Sequence, residues 1–173
     1  MSTFIALSRA VNVGGTGKLP MAELKSMCEA AGFTQVQTYI ASGNVVFGSG
    51  KTAAQVKGAL EAALLAYAGK PVKVLVRSAA ELADVLSNNP FPQAAPSRTV
   101  AIFLDDAPDA NLIKNLSGQK GEEVALGKHE IYVHYGDGIG DSKLKVPGAE
   151  VGTARNMNTV AKLVSMAAAR ALQ

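Results

Sequence analysis

The sequence predicts an α+β protein of two ferredoxin-like α/β halves, β-α-β-β-α-β and then β-α-β-β-α, packed as one compact protein. Three observations carry this reading. Short β-rich apolar runs alternate with stretches whose apolar residues recur at helical spacing. In residues 1–88 their order is the split βαβ pattern. After the breaker Asn88-Asn89-Pro90-Phe91-Pro92 a similar order starts again, without obvious residue identity, so the second half is taken as 97–173.

Thr3 to Leu7 reads as a buried strand, followed by a loop, Arg9 to Lys18, with three glycines. Pro20 opens a helix, because its fixed φ suits the first helical position. Met21, Leu24, Met27 and Cys28 make one apolar face, and Gly32 stops it. Val36–Ile40 and Val45–Phe47 are strands around a Ser42-Gly43-Asn44 turn. Thr52 to Tyr67 is helical, Pro71 to Val76 is a strand, and Ser78 caps a helix through Leu86. In the second half Thr99–Leu104 is a strand and Pro108 opens a helix to Leu116. Glu122–Leu126 and Glu130–Tyr135 pair as strands. A glycine-rich segment, Gly136 to Gly152, reads equally as a mobile flap or a plain loop, and a final helix runs from about Asn156 to Leu172. The second half therefore reads β-α-β-β-α, without a clear last strand.

Composition narrows the function classes. An apolar content of 48% with 18% charge marks a globular chain rather than a disordered one. No run approaches the roughly 18 apolar residues of a membrane span; the richest, Ala59 to Ala68, is broken by Glu61. The start, Met1-Ser2-Thr3-Phe4-Ile5, has no basic region ahead of an apolar one, and the lone Cys28 rules out an internal disulfide. A cytoplasmic monomer or weak dimer is expected. The net charge of +3 would help an anionic ligand without demanding one. Nucleic acid is disfavoured, because aromatics are only 5% and no dense basic stripe accompanies them.

Three segments hold candidate binding residues. The loop Arg9-Ala10-Val11-Asn12-Val13-Gly14-Gly15-Thr16-Gly17-Lys18 joins a strand to a helix, where backbone N–H groups can approach an anion. With Pro20 at the first helical position, Leu19 becomes the cap and cannot accept a hydrogen bond. The Met21 and Ala22 amides are then left for water or a ligand. A helix start contributes only about 0.3–1 kcal/mol to anion binding, so Arg9 and Lys18 would have to supply much of the rest. The loop is no Walker A motif, since Leu19 follows Gly17-Lys18 where a hydroxyl belongs. A plain connector explains the same glycines.

The Ser42-Gly43-Asn44 turn is by itself an ordinary hairpin. In a split βαβ sheet, however, it lies at the same end as the first loop. That end would gather Arg9, Asn12, Gly14, Gly15, Lys18, Ser42 and Asn44 into a rim for a small anionic, phosphate-bearing ligand. The third segment is Thr153-Ala154-Arg155-Asn156-Met157-Asn158-Thr159. Thr153 or Asn156 could cap the last helix, while Arg155 would face the positive end of its dipole. Either a carboxylate of the fold or a bound anion must offset it, so Arg155 and Asn156 join the candidate set.

Nothing here fixes a reaction. No residue stands out as a general base, no Ser-His-Asp arrangement is readable, and Cys28 reads as core rather than nucleophile. His129 and His134 lack cysteine or acidic partners at ligand spacing, so no metal is expected. Catalytic residues and cofactor stay unassigned, and enzymatic activity stays open. The alternative is a nucleic-acid or protein interaction module without catalysis, since such sheets can present a flat face.

Taken together these segments resemble the family known as domain of unknown function 1697. Leu7 to Gly15 with Lys18-Leu19-Pro20-Met21 looks like its N-terminal signature, and Tyr39 to Phe47 like its hairpin. Asn89-Pro90-Phe91, Ser142-Lys143-Leu144 and Thr153 to Val160 follow in the expected order. The resemblance covers nearly the whole chain and implies ferredoxin-like α/β halves; it implies no activity. Met157 stands where the family commonly has tryptophan, which puts a stacking role there in doubt. The stretch between Leu144 and Thr153 is shorter than in relatives, and a small helix is expected to be missing.

Overall fold

A computed structural model describes residues 1–9, 19–40, 43–136 and 142–170. It has an α+β fold with two four-stranded antiparallel sheets. The chain divides into two compact units, Met1–Leu82 with Leu163–Gln173, and Ala83–Lys162.

The first unit contains β1 (Ser2–Ser8), α1 (Met21–Ala30), β2 (Thr34–Tyr39), β3 (Asn44–Ser49), α2 (Ala53–Ala68) and β4 (Val74–Ser78). The strand order is β2-β3-β1-β4, the split βαβ arrangement with β1 and β3 central. Alternation along these strands loads one face with Phe4, Ala6, Val45 and Phe47, which cluster with Leu24 and Cys28 of α1 and with Val56, Leu60 and Leu64 of α2. The valine, leucine and phenylalanine side chains among them each contribute about 1.5–3 kcal/mol when fully buried. Phe33 stacks on Phe47 with centroids 4.3 Å apart. The opposite face, with Ile5, Leu7, Val46 and Leu75, is buried as well. Both faces being covered explains why β3 is apolar without alternation.

Local chemistry sets the helix ends. Thr52 Oγ1 accepts from the Gln55 amide at 3.2 Å while the Gln55 side chain accepts from the Thr52 amide at 3.0 Å, a reciprocal cap. Gly69, at φ +74, closes α2 in the left-handed conformation. Ser78 and Glu81 form the same box at 3.1 and 2.8 Å and start α3 (Ala79–Ser87). Helix α1 begins one residue later than the sequence predicts. Pro20 itself is the cap, because its ψ of 140 is extended, and its carbonyl accepts from Glu23 and Leu24. No side chain caps α1 among the described residues. Leu19, expected to be the cap, is buried in the core instead.

The second unit repeats the plan with β5 (Thr99–Phe103), β6 (Glu123–Leu126), β7 (Glu130–His134) and β8 (Thr153–Asn156), in the order β6-β7-β5-β8. Two expectations are corrected here. A last strand exists: Thr153–Asn156 pairs with β5 from Phe103↔Thr153 to Val100↔Asn156, and α4 (Met157–Arg170) starts only after it. Four residues without apolar alternation carry no strand signal of their own. The helix expected over 108–116 is a single 3-10 turn, Leu112–Asn115. Asp109 Oδ1 takes the Asn111 amide at 2.9 Å and the Asn115 side chain donates to the Asn111 carbonyl at 3.1 Å, so short polar side chains compete with the helical ladder. Another 3-10 turn, Ala149–Val151, occupies the stretch where a small helix was expected to be missing. Leu112, Leu144, Val146 and Ala149 cover this sheet in place of two helices.

Candidate functional site

The end of β1 organises the strongest candidate. Consecutive backbone amides of an interior strand point to opposite neighbours. The Ser8 amide donates to the Gly43 carbonyl at 3.0 Å, and the Arg9 amide donates to the Lys73 carbonyl at 3.2 Å. The Ser8 hydroxyl adds a bond to the Gly43 carbonyl at 3.3 Å. One end of the first sheet therefore carries Arg9, the turn before β3 and the connection from α2 to β4.

A cleft of about 630 Å³ opens there, lined by Arg9, by Glu61, Ala62 and Leu65 of α2, and by Lys70, Pro71, Val72 and Lys73 of the connection. That volume is in the range of small-molecule sites. Among the described residues the lining holds three cations and one carboxylate, and that carboxylate is engaged. Glu61 Oε2 lies 3.2 Å from Lys57 Nζ and accepts the Val74 amide at 3.1 Å, while Lys57 also donates to the Val74 carbonyl. The C-terminus of α2 opposes an anion by only about 0.3–1 kcal/mol. A cation 4 Å from an anion gains about 1 kcal/mol even at the dielectric of water, so three cations outweigh the helix end. The lining is mixed. The connection supplies lysines, Pro71 and Val72, and α2 supplies Glu61, Ala62 and a half-exposed Leu65.

The sequence-predicted residues divide as follows. Arg9 lines the cleft. Asn44 is fully buried, and its amide donates to the Tyr39 carbonyl at 3.0 Å, which ties the turn to itself. Ile40 in that turn has φ +45, an uncommon conformation for a β-branched side chain. Asn12, Gly14, Gly15, Lys18 and Ser42 lie outside the described residues. Arg155 and Asn156 belong to the second unit. Arg155 sits on β8 opposite Ala101 rather than inside a helix, and its guanidinium donates to the Ala154 carbonyl at 2.9 Å. Burial pushes its pKa down to about 10. Asn156 caps α4, with Oδ1 accepting the Thr159 amide at 2.9 Å.

Other groups with chemical interest are structural. Burial, and then the nearby Glu29 charge, push the Cys28 thiol up to about 12, so it is no thiolate at neutral pH. Glu122 is buried and accepts from Ser142 Oγ and the Lys120 amide, which hold its carboxyl below the usual carboxylate value. His134 lies against Phe91, with centroids 6.1 Å apart. No group of three or more His, Cys, Asp or Glu suited to a metal occurs among the described residues. Phe4 and Phe47, on the two central strands of the first sheet, are buried, so those strands present no ring for base stacking.

Lys70 and Lys73 are the site residues that reading the glycine-rich loops overlooks. A signal for them exists. In this topology β4 starts where β1 ends, so the argument that places the β2–β3 turn also places Gly69-Lys70-Pro71-Val72-Lys73 at that end.

Comparison with known proteins agrees with this architecture. The conserved bacterial protein SP0830 from Streptococcus pneumoniae superposes with a TM-score of 0.79 and 27% sequence identity, over 96% of this chain and 98% of that one. No match was found among curated proteins. No helix among the described residues is long and apolar enough to cross a membrane. A family model described as "Protein of unknown function (DUF1697)" matches residues 1–132, and the chain belongs to that family.

Proposed function

We propose that this protein binds a small anionic, phosphate-bearing molecule at the β1 end of its first sheet. The observation that carries the reading is the cleft beside Arg9, where Lys70 and Lys73 supply two more cations and the one carboxylate, Glu61, is matched by Lys57. Asn12, Gly14, Gly15, Lys18 and Ser42 join the proposal because their segments flank Arg9 and Gly43 in sequence. Arg155 and Asn156 are not needed for it, since Asn156 is occupied as a helix cap. The residues at the cleft hold charge rather than move protons, so binding is proposed and a reaction is not. The setting is cytoplasmic, which suits the buried, unbridged Cys28.

The test is thermal stabilisation by inorganic phosphate and pyrophosphate, against chloride at equal ionic strength. A ligand at ten times its Kd stabilises by about 1.4 kcal/mol. Wild type should shift, and an Arg9→Ala, Lys73→Ala double variant of unchanged intrinsic stability should not. Equal shifts in both proteins, or no shift in wild type, would refute the proposal.

A further inference from the structure

The cleft is much larger than its charged part requires. A phosphate group fills only a small fraction of about 630 Å³. Beside Glu61, α2 contributes the apolar Ala62 and Leu65 to the lining, and Pro71 and Val72 of the connection are apolar as well. Leu65 is 47% exposed, one of the few large apolar side chains left so open in this unit. Leu60 and Leu64 of the same helix turn into the core, so the core does not use Leu65. An open leucine and three cations line one cleft, so the lining can match both a negative head and an apolar body.

We propose that the ligand is an organic phosphate monoester whose apolar or aromatic body lies on Leu65 and Ala62, with its phosphate toward Arg9, Lys70 and Lys73. This rests on the anion-binding reading above and adds the class of molecule. Removing apolar area from water drives the body's contribution, whereas the charged contacts are common to every phosphate. The two contributions are therefore separable by experiment.

Binding of inorganic phosphate and of phenyl phosphate should be compared by calorimetry at pH 8, where both are mainly dianions. In wild type, phenyl phosphate should bind at least about tenfold more tightly, a difference of about 1.4 kcal/mol. Leu65→Ser, on the solvent side of α2, should bring the two affinities within about threefold while leaving inorganic phosphate unchanged. Lys73→Ala should weaken both ligands by the same factor. Inorganic phosphate binding as tightly as phenyl phosphate, or a preference that survives Leu65→Ser, would overturn the ligand class and leave anion binding standing. Failure of both ligands to bind wild type would overturn the two proposals together.

Discussion

Replacing Gly43 by alanine tests the junction on which the whole site depends. Gly43 has φ +76, where a Cβ costs about 1–2 kcal/mol. That Cβ would also overlap the Ser8 hydroxyl and stand 3.2 Å from the Ser8 carbonyl oxygen. Ser8 is only 4% exposed, and rotating its hydroxyl away breaks the 3.3 Å bond to the Gly43 carbonyl. A lost buried hydrogen bond costs about 1 kcal/mol. The sum is about 2–3 kcal/mol, to be read from the urea midpoint with an unchanged m value. The hydroxyl's share can be isolated. In a Ser8→Ala background the overlap is gone, so Gly43→Ala should cost only its backbone share, and the double-mutant cycle should show about 1 kcal/mol of coupling. A Gly43→Ala variant within about 0.5 kcal/mol of wild type, the range of an ordinary surface change, would refute the reasoning. So would strict additivity, because positions 8 and 43 would then not touch.

Three further outcomes follow from other contacts. Ser142 and the Lys120 amide hold the Glu122 carboxyl below its ordinary value of 4.5, so their stabilisation is present above that value and is lost as pH falls through the lowered one. Melting temperature measured from pH 7 to pH 3 should therefore fall more steeply for wild type than for Glu122→Gln, and parallel curves would contradict this. Arg170 donates to the Thr34 carbonyl at 3.2 Å and to the Gln35 carbonyl, across a bulge where Gln35 has φ +48. Because Thr34 and Gln35 are exposed, water can replace the guanidinium, and Arg170→Ala should cost about 1–2 kcal/mol in urea, with Arg170→Lys recovering only part. A thiol raised to about 12 within the core should leave Cys28 unreactive toward a disulfide reagent until denaturant is added, and prompt labelling of the folded protein would count against its placement.

The first unit was largely legible because its boundaries are local. Thr52 with Gln55, Gly69, and Ser78 with Glu81 each carry their helix signal within a few residues. The second unit was less so, since its elements depend on distant partners. Strand β8 is a strand only because β5 lies beside it, and Thr-Ala-Arg-Asn has no alternation to announce that. The turn at Leu112–Asn115 looks helical by its apolar residues, yet the side chains of Asp109 and Asn115 bond the Asn111 backbone and redirect it. At the site, charge and topology had to be combined. Arg9 is conspicuous in a glycine-rich loop, whereas Lys70 and Lys73 look like an ordinary solvated connection until β4 is placed beside β1.

The two units share a strand order and also the junction at its end, for the Leu104 amide donates to the His129 carbonyl at 2.8 Å as the Ser8 amide does to Gly43. The equivalent ends nevertheless carry opposite charge. Where the first unit has Arg9 after its first strand and Lys70 and Lys73 before its last, the second has Asp105 and Asp106 after β5 and Glu150 before β8. One framework thus holds Arg9, Lys70 and Lys73 at that end of one unit and Asp105, Asp106 and Glu150, beside the turn residue Lys128, at that end of the other. Strand order and the β1-end junction recur because they bury the sheet and pair its backbone, and those demands do not depend on charge. The charge at that end is therefore not set by the strand order that the two units share. The anion site proposed above would make use of that difference.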